Sequence, residues 1–139
     1  MKISAKIANA RGAHSVVLTT NETERVLAIA PKPDGQGSSV NGGELLFLAL
    51  ATCYCNDIYR EAKKRGIEIE QVTVDVSGEF GREGGSASNV SYRAQVKAKA
   101  PREQILELMR HTDSVAEIQN TLRSSQGVVL AGCDAVEVK

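Results

Sequence analysis

Ile3, Ala5 and Ile7 alternate with Lys2, Ser4 and Lys6, the two-residue period of a half-buried strand. A turn at Arg11-Gly12-Ala13 follows. Two short runs rich in β-branched and apolar residues come next, Ser15 to Thr20 and Val26 to Ala30, parted by the polar segment Thr20 to Glu24. Residues 1–30 are therefore expected to form a small antiparallel meander. Pro31, Pro33, Gly35 and Gly37 exclude a helix interior or a central strand, so 31–42 is expected to be an exposed loop.

The pattern then changes. Glu44 to Cys53 carries a single charge and is apolar around the whole circumference of a helix, whereas Asp57 to Arg65 mixes charges with Ile58 and Ala62. This predicts a central helix over 43–65, its first half running through the core, its second half emerging into solvent, and its end at Gly66. Val72, Val74, Val76 and Phe80 share one parity, as do Val90, Tyr92, Ala94, Val96 and Ala98, with Gly81 to Gly85 between them. A long hairpin over 67–99 follows from that alternation. Pro101 suits a first helical position before Ile105, Leu106, Leu108 and Met109. Ser114-Val115-Ala116-Glu117 fits a capping box opening a second short helix, so two helices are expected within 101–124. Residues 127–138 read as a final strand with a bulge near Gly132. The elements together predict one α+β domain over 1–139, with antiparallel sheets packed around a long buried central helix. A sheet covers only one side of such a helix, so a homodimer is expected to cover the other.

The 139 residues suit one domain. Seventeen Lys and Arg balance seventeen Asp and Glu, which leaves no bulk attraction for nucleic acid or an anionic membrane. No apolar run approaches the roughly 18 residues of a membrane span and no leader pattern opens the chain, so a cytoplasmic protein is expected. Three cysteines, Cys53, Cys55 and Cys133, are too few for a disulfide framework, and each is to be read as a thiol.

Cys53 has two readings: a small buried hydrophobe, or a reactive thiol. Cys55 lies about 200° around the helix from it. The two sulfurs therefore face nearly opposite ways, which disfavours a shared metal ion or a mutual disulfide. No metal or cofactor is expected, because Cys53, Cys55, Cys133, His14 and His111 supply only pieces of a ligand set. Neither helix cysteine is near a helix N-terminus, so a thiolate would need a nearby guanidinium, a histidine or a second-chain group; Arg11 and Arg25 are candidates by availability alone and read first as solvated surface charges. His14 reads as a strand surface residue, and His111 and Lys63-Lys64-Arg65 as cations at helix C-termini. Gly35-Gln36-Gly37 lacks the Gly-Lys-Ser/Thr ending of a phosphate loop, and the chain contains no HExxH or Cys-x-x-Cys.

Gly35-Gln36-Gly37-Ser38-Ser39-Val40-Asn41-Gly42-Gly43-Glu44-Leu45-Leu46, followed by Ala49-Leu50-Ala51-Thr52-Cys53, resembles the OsmC/Ohr family of osmotically inducible and organic hydroperoxide resistance proteins. The order of the later elements matches as well. The resemblance implies an OsmC-like fold, an intertwined homodimer with its site at the subunit interface, and a small hydrophobic peroxide as substrate. Cys53 matches the peroxide-reacting cysteine. The family activates that thiol with an arginine and a glutamate. Glu44 matches the common Glu-Leu-Leu position and is the candidate carboxylate, while Gly43 stands where the peroxidases carry theirs. The family's resolving cysteine opens a later helix; here that stretch reads Val115-Ala116-Glu117-Ile118. A Cys53 sulfenic acid would then fall to the secondary thiol Cys55, to Cys133, or to an external thiol reductant. The expected function is thiol-dependent reduction of organic hydroperoxides in oxidative stress defence. The alternatives are a non-enzymatic dimer that binds a small lipophilic ligand in an interface cavity, and a structural dimer with inert cysteines.

Overall fold

A computed structural model describes residues 1–125 and 127–136. It divides into two compact units, Met1–Phe47 and Leu48–Lys139. The first holds β1 (Ile3–Ala10), β2 (Ala13–Thr20) and β3 (Thr23–Val26), an antiparallel sheet in that order. Ala10 pairs with Ala13 across Arg11 and Gly12, both at positive φ, the two-residue turn whose twist suits a hairpin. The expected meander is present, but its third strand is Thr23–Val26 rather than Val26 to Ala30, because the polar segment pairs back onto β2. Its first strand is exposed along its whole length rather than half-buried, because no layer of its own unit covers Ile3 or Ile7.

Helix α1 spans Gly42–Lys64. Asn41 and Glu44 start it reciprocally: the Glu44 backbone N–H donates to Asn41 Oδ1 at 2.9 Å and the Asn41 N–H donates to Glu44 Oε1 at 3.2 Å. It stops as expected at Gly66, with φ at 67°. The N–H of Ile67 donates to the Ala62 carbonyl at 3.0 Å and that of Gly66 to Lys63 at 3.2 Å, the paired bonds of a left-handed glycine stop.

In the second unit β4 (Ile69–Phe80) and β5 (Ala87–Ala98) form the long antiparallel hairpin, followed by α2 (Arg102–Val115) and α3 (Glu117–Arg123). Tyr54, Ile58 and Ala62, one helical turn apart on α1, make the core with Leu108 of α2. Val72 and Val74 of β4, and Tyr92, Ala94 and Val96 of β5, close over them. The alternation of both strands is thus confirmed. Phe80 and Val90 share that parity but are exposed, since they lie toward the hairpin tip.

Three expectations are corrected. The buried residues of α1 are Leu50, Tyr54, Asp57, Ile58, Glu61 and Ala62, so the charged second half is the better buried one, and Leu48 is exposed. Charges there are tolerated because Asp57 and Glu61 are paired with Arg60 and Lys64. Ser114 does not cap α3: it lies inside α2 with its hydroxyl donating to the His111 carbonyl at 2.6 Å, and Ala116 holds the cap position. Finally, residues 127–136 form no strand, and Val128 is 99% exposed. An alternating sequence becomes a strand only where a neighbour pairs with its backbone. The remainder of that expected strand lies outside the described residues.

Candidate functional site

Cys53 and Asp57 stand one turn apart on α1, and a (i, i+4) spacing brings their side chains together. The Cys53 Sγ–H donates to Asp57 Oδ2 at 3.5 Å, and Glu117 Oε2 lies 3.9 Å from the same sulfur. Glu117 is the first residue of α3. A buried bond holds that helix in place, Gln119 Nε2 donating to the Leu50 carbonyl at 3.0 Å, one turn before the thiol. Cys53 is partly buried, Asp57 is 5% exposed, and the Glu117 side chain is 67% exposed. The thiol therefore has a sheltered carboxylate on one side and a wet one on the other.

Arg60 supplies the counter-charge. Its Nη1 reaches Asp57 Oδ1 at 2.8 Å and Glu117 Oε1 at 3.5 Å, and its Nε reaches Glu61 Oε1 at 2.9 Å. Glu61 also accepts from Lys64 Nζ at 2.8 Å and lies 3.1 Å from His111 Nε2. A continuous polar chain thus runs from Cys53 through Asp57, Arg60 and Glu61 to Lys64 and His111.

The electrostatics follow from this arrangement. Burial pushes the Cys53 thiol above its ordinary pKa, and the negative charges of Asp57 and Glu117 push it further; a backbone hydrogen bond at Ile118 opposes them. Cys53 is consequently held as the protonated thiol at neutral pH. Burial, then the adjacent Glu117, raises Asp57 against the pull of Arg60. Its own backbone N–H, then Asp57, holds Glu117 below the usual carboxylate range. Lys64, Arg60 and His111 depress Glu61 from 4.5 to about 2.

A carboxylate depressed on folding stabilises the native state above its unfolded pKa, and that stabilisation fades as the pH falls through the folded value. Wild-type stability is therefore expected to decline through the window from pH 4.5 to about 2 partly through Glu61. Protonation of Asp57, whose shift has the opposite sign, offsets some of the loss. Glu61→Gln is expected to flatten the acid limb in a series of urea titrations. An unchanged limb would show that the pairing contributes nothing to acid stability.

The other sequence-derived candidates fall elsewhere. Cys55 is partly buried and lines a separate shallow hollow with Ala51, Thr52, Asn56 and Val74, in keeping with its opposite direction on the helix. Cys133 is exposed rather than packed in a core. Glu44 is committed to the start of α1. Arg11 and Arg25 are exposed, on a turn and on β3. His14 lies on β2, its Nδ1 3.3 Å from Asn9 Nδ2 and its Nε2 buried without a hydrogen-bond partner among the described residues. His111 and Lys64 are held by Glu61, and Arg65 reaches Glu107 at 3.4 Å, which is more specific than the helix-end preference expected of them.

Three residues that sequence reasoning missed complete the site. Asp57 and Arg60 were detectable, being four and seven positions after Cys53 and so on its helix face. Glu117 lies 64 positions away in sequence and had no local signal. Among the described residues, Cys53, Asp57 and Glu117 are the group whose donor atoms all lie within 4.8 Å of one another and could ligate a metal ion. Arg60 is the cation that pairs with both carboxylates of this group.

The model of the OsmC-like protein family matches residues 35–130. No curated protein sequence matches the chain. Among solved structures, an OsmC-like protein from Mycoplasma pneumoniae is similar over 90% of this chain and 89% of its own, with a TM-score of 0.65 and 16% identity. An OsmC-like protein of unknown function from Vibrio cholerae matches over 87% of this chain and 93% of its own, with a TM-score of 0.61 and 18% identity. The organic hydroperoxide resistance protein OhrB of Bacillus subtilis covers 90% of this chain and 93% of its own, with a TM-score of 0.54 and 18% identity. The helix-borne cysteine, the long hairpin and the two following helices, together with a family match over most of the chain, establish that this protein belongs to the OsmC-like family.

Proposed function

We propose that this protein reduces organic hydroperoxides with Cys53 as the nucleophile and an external thiol as the reductant. The observation that carries the reading is the placement of the Cys53 thiol against Asp57 at 3.5 Å, with Glu117 and Arg60 completing its surroundings. This is a partly buried sulfur with a proton acceptor beside it, at the position that matches the family's reacting cysteine. The name of the Bacillus subtilis relative, an organic hydroperoxide resistance protein, supports the substrate class. The stretch Val115 to Ile118, which corresponds by resemblance to the family's resolving-cysteine motif, holds no cysteine. A sulfenic acid on Cys53 would therefore be reduced from outside, and a cytoplasmic thiol pool is the proposed source.

A homodimer belongs to the same proposal. Ile3, Ile7, Leu48 and Val128 to Leu130 are exposed within one chain, and a second copy is the partner proposed to cover them. A monomer of 14.9 kDa by light scattering would remove that part.

The function is tested by following cumene hydroperoxide with an excess of dithiothreitol. Consumption well above that of dithiothreitol alone is expected. Consumption at the background rate would favour the non-enzymatic reading, a dimer that holds a lipophilic ligand beside an unreactive thiol.

A further inference from the structure

The surroundings of Cys53 present a chemical difficulty. Two carboxylates flank the sulfur, and the cation of the cluster, Arg60, points its guanidinium at those carboxylates rather than at the sulfur. Among the described residues, the side chains within hydrogen-bond reach of the sulfur are the two carboxylates. The sulfur must lose its proton at the moment it reacts, to a group already within hydrogen-bond reach.

We infer that Asp57 is that group, a catalytic residue that takes the Cys53 proton as the sulfur attacks and returns it to the leaving oxygen. The inference rests on Cys53 being the reacting thiol. Three features single out Asp57 over Glu117. Its Oδ2 is the nearer acceptor, at 3.5 Å against 3.9 Å. Its 5% exposure shields it from water, whereas the Glu117 side chain is 67% exposed. Its other oxygen, Oδ1, is fixed by Arg60 at 2.8 Å, so Oδ2 is kept turned toward the sulfur.

The step balances as follows. The Sγ–H proton passes to Asp57 Oδ2 while a sulfur electron pair attacks the terminal oxygen of the hydroperoxide. The S–O bond forms as the O–O bond breaks. The departing alkoxide takes the proton from Asp57 and leaves as the alcohol. Sulfur is oxidised by two electrons to the sulfenic acid, and the peroxide is reduced by two. Burial and Glu117 raise Asp57 and so make it a stronger base than an exposed aspartate, which suits it to accept a proton and then return it. Among the described residues, Arg60 and Glu61 on α1, Glu117 on α3, and Lys64 of α1 and His111 of α2 through Glu61 are the charged or titratable groups around the pair.

Two roles for Asp57 predict opposite signs. If its charge only repels the thiolate, Asp57→Asn frees the sulfur to ionise and the variant reacts faster. If Asp57 takes the proton, the variant reacts more slowly, by about 100-fold at pH 7. The test measures second-order rates at Cys53 in a Cys55→Ser, Cys133→Ser background, with cumene hydroperoxide (dimedone trapping) and separately with iodoacetamide. Slower reaction of Asp57→Asn with both reagents is expected, the two proteins converging at high pH where the thiol ionises by itself. Equal or faster reaction of the variant with both would overturn the inference. If wild type ignores the hydroperoxide yet alkylates faster than Asp57→Asn, the peroxidase reading fails and the proton acceptor stands.

Should Asp57→Asn not fold, the wild-type pH profile of alkylation decides. A rate nearly level between pH 6 and 8 supports a carboxylate acceptor, and a tenfold rise per pH unit, the mark of free thiolate alone, overturns it. The profile is repeated with His111→Gln, which removes the imidazole that reaches Glu61.

Discussion

Leu108→Ala is expected to destabilise the protein by about 3 kcal/mol. Leu108 is 0% exposed and sits among Tyr54, Ile58 and Ala62 of α1. The cost has two parts, the transfer free energy of the removed methyl and methylene groups and the cavity left behind. The site resists collapse. Tyr54 is pinned by its hydroxyl, which donates to the Met109 carbonyl at 2.9 Å, and its ring rests on Tyr92 with centroids 5.2 Å apart. Neither neighbour can lean into the gap without losing these contacts. In a chain of this size the change corresponds to a fall of roughly 10 °C in melting temperature. Leu108→Met, which nearly conserves volume, is expected to cost less than about 1.5 kcal/mol. Urea titrations of the two variants check the prediction, and equal losses would mean that the side chain's shape, not the cavity, sets the cost.

The same residue shows why some of the fold was legible in the sequence. Leu108 belongs to an apolar set at helical spacing, and Val72, Val74, Ala94 and Val96 to two-residue alternations, so their elements and inward faces follow from periodicity. Gly66 marked the end of α1 because a left-handed stop favours glycine. Periodicity misleads where the state of a segment depends on its neighbours. The charged half of α1 was expected to be in solvent, yet Asp57 and Glu61 are buried because Arg60 and Lys64 follow them at pairing distance. The alternation within 127–138 suggests a strand, although strand formation depends on a backbone partner that periodicity does not reveal. Ser114 carried the composition of a cap but lies inside α2, two residues before the cap position at Ala116.

The site divides along the same line. Cys53 was recognisable from its motif, and Asp57 and Arg60 could have been read from helical spacing. Glu117 could not, because only the packing of α3 against α1, held by the Gln119 bond to Leu50, brings it to the sulfur.

Cys53→Ser is expected to abolish dithiothreitol-dependent hydroperoxide consumption, whereas Cys55→Ser and Cys133→Ser leave it within about twofold of wild type. Serine keeps the volume and a donor to Asp57, so the fold should be preserved. It removes the one atom that can form a stable bond to the peroxide oxygen and later release it to an incoming thiol. The controls carry as much weight as the loss. Cys133 is the exposed thiol and Cys55 faces a different hollow. If accessibility governed the reaction, Cys133 would dominate it, and Cys133→Ser would cause the greater loss. Selective loss with Cys53→Ser would mean instead that a partly buried thiol, whose pKa its neighbours raise rather than lower, outcompetes an accessible one. An acceptor for its proton beside the sulfur would give it that advantage, and the group in reach with a fixed direction is Asp57.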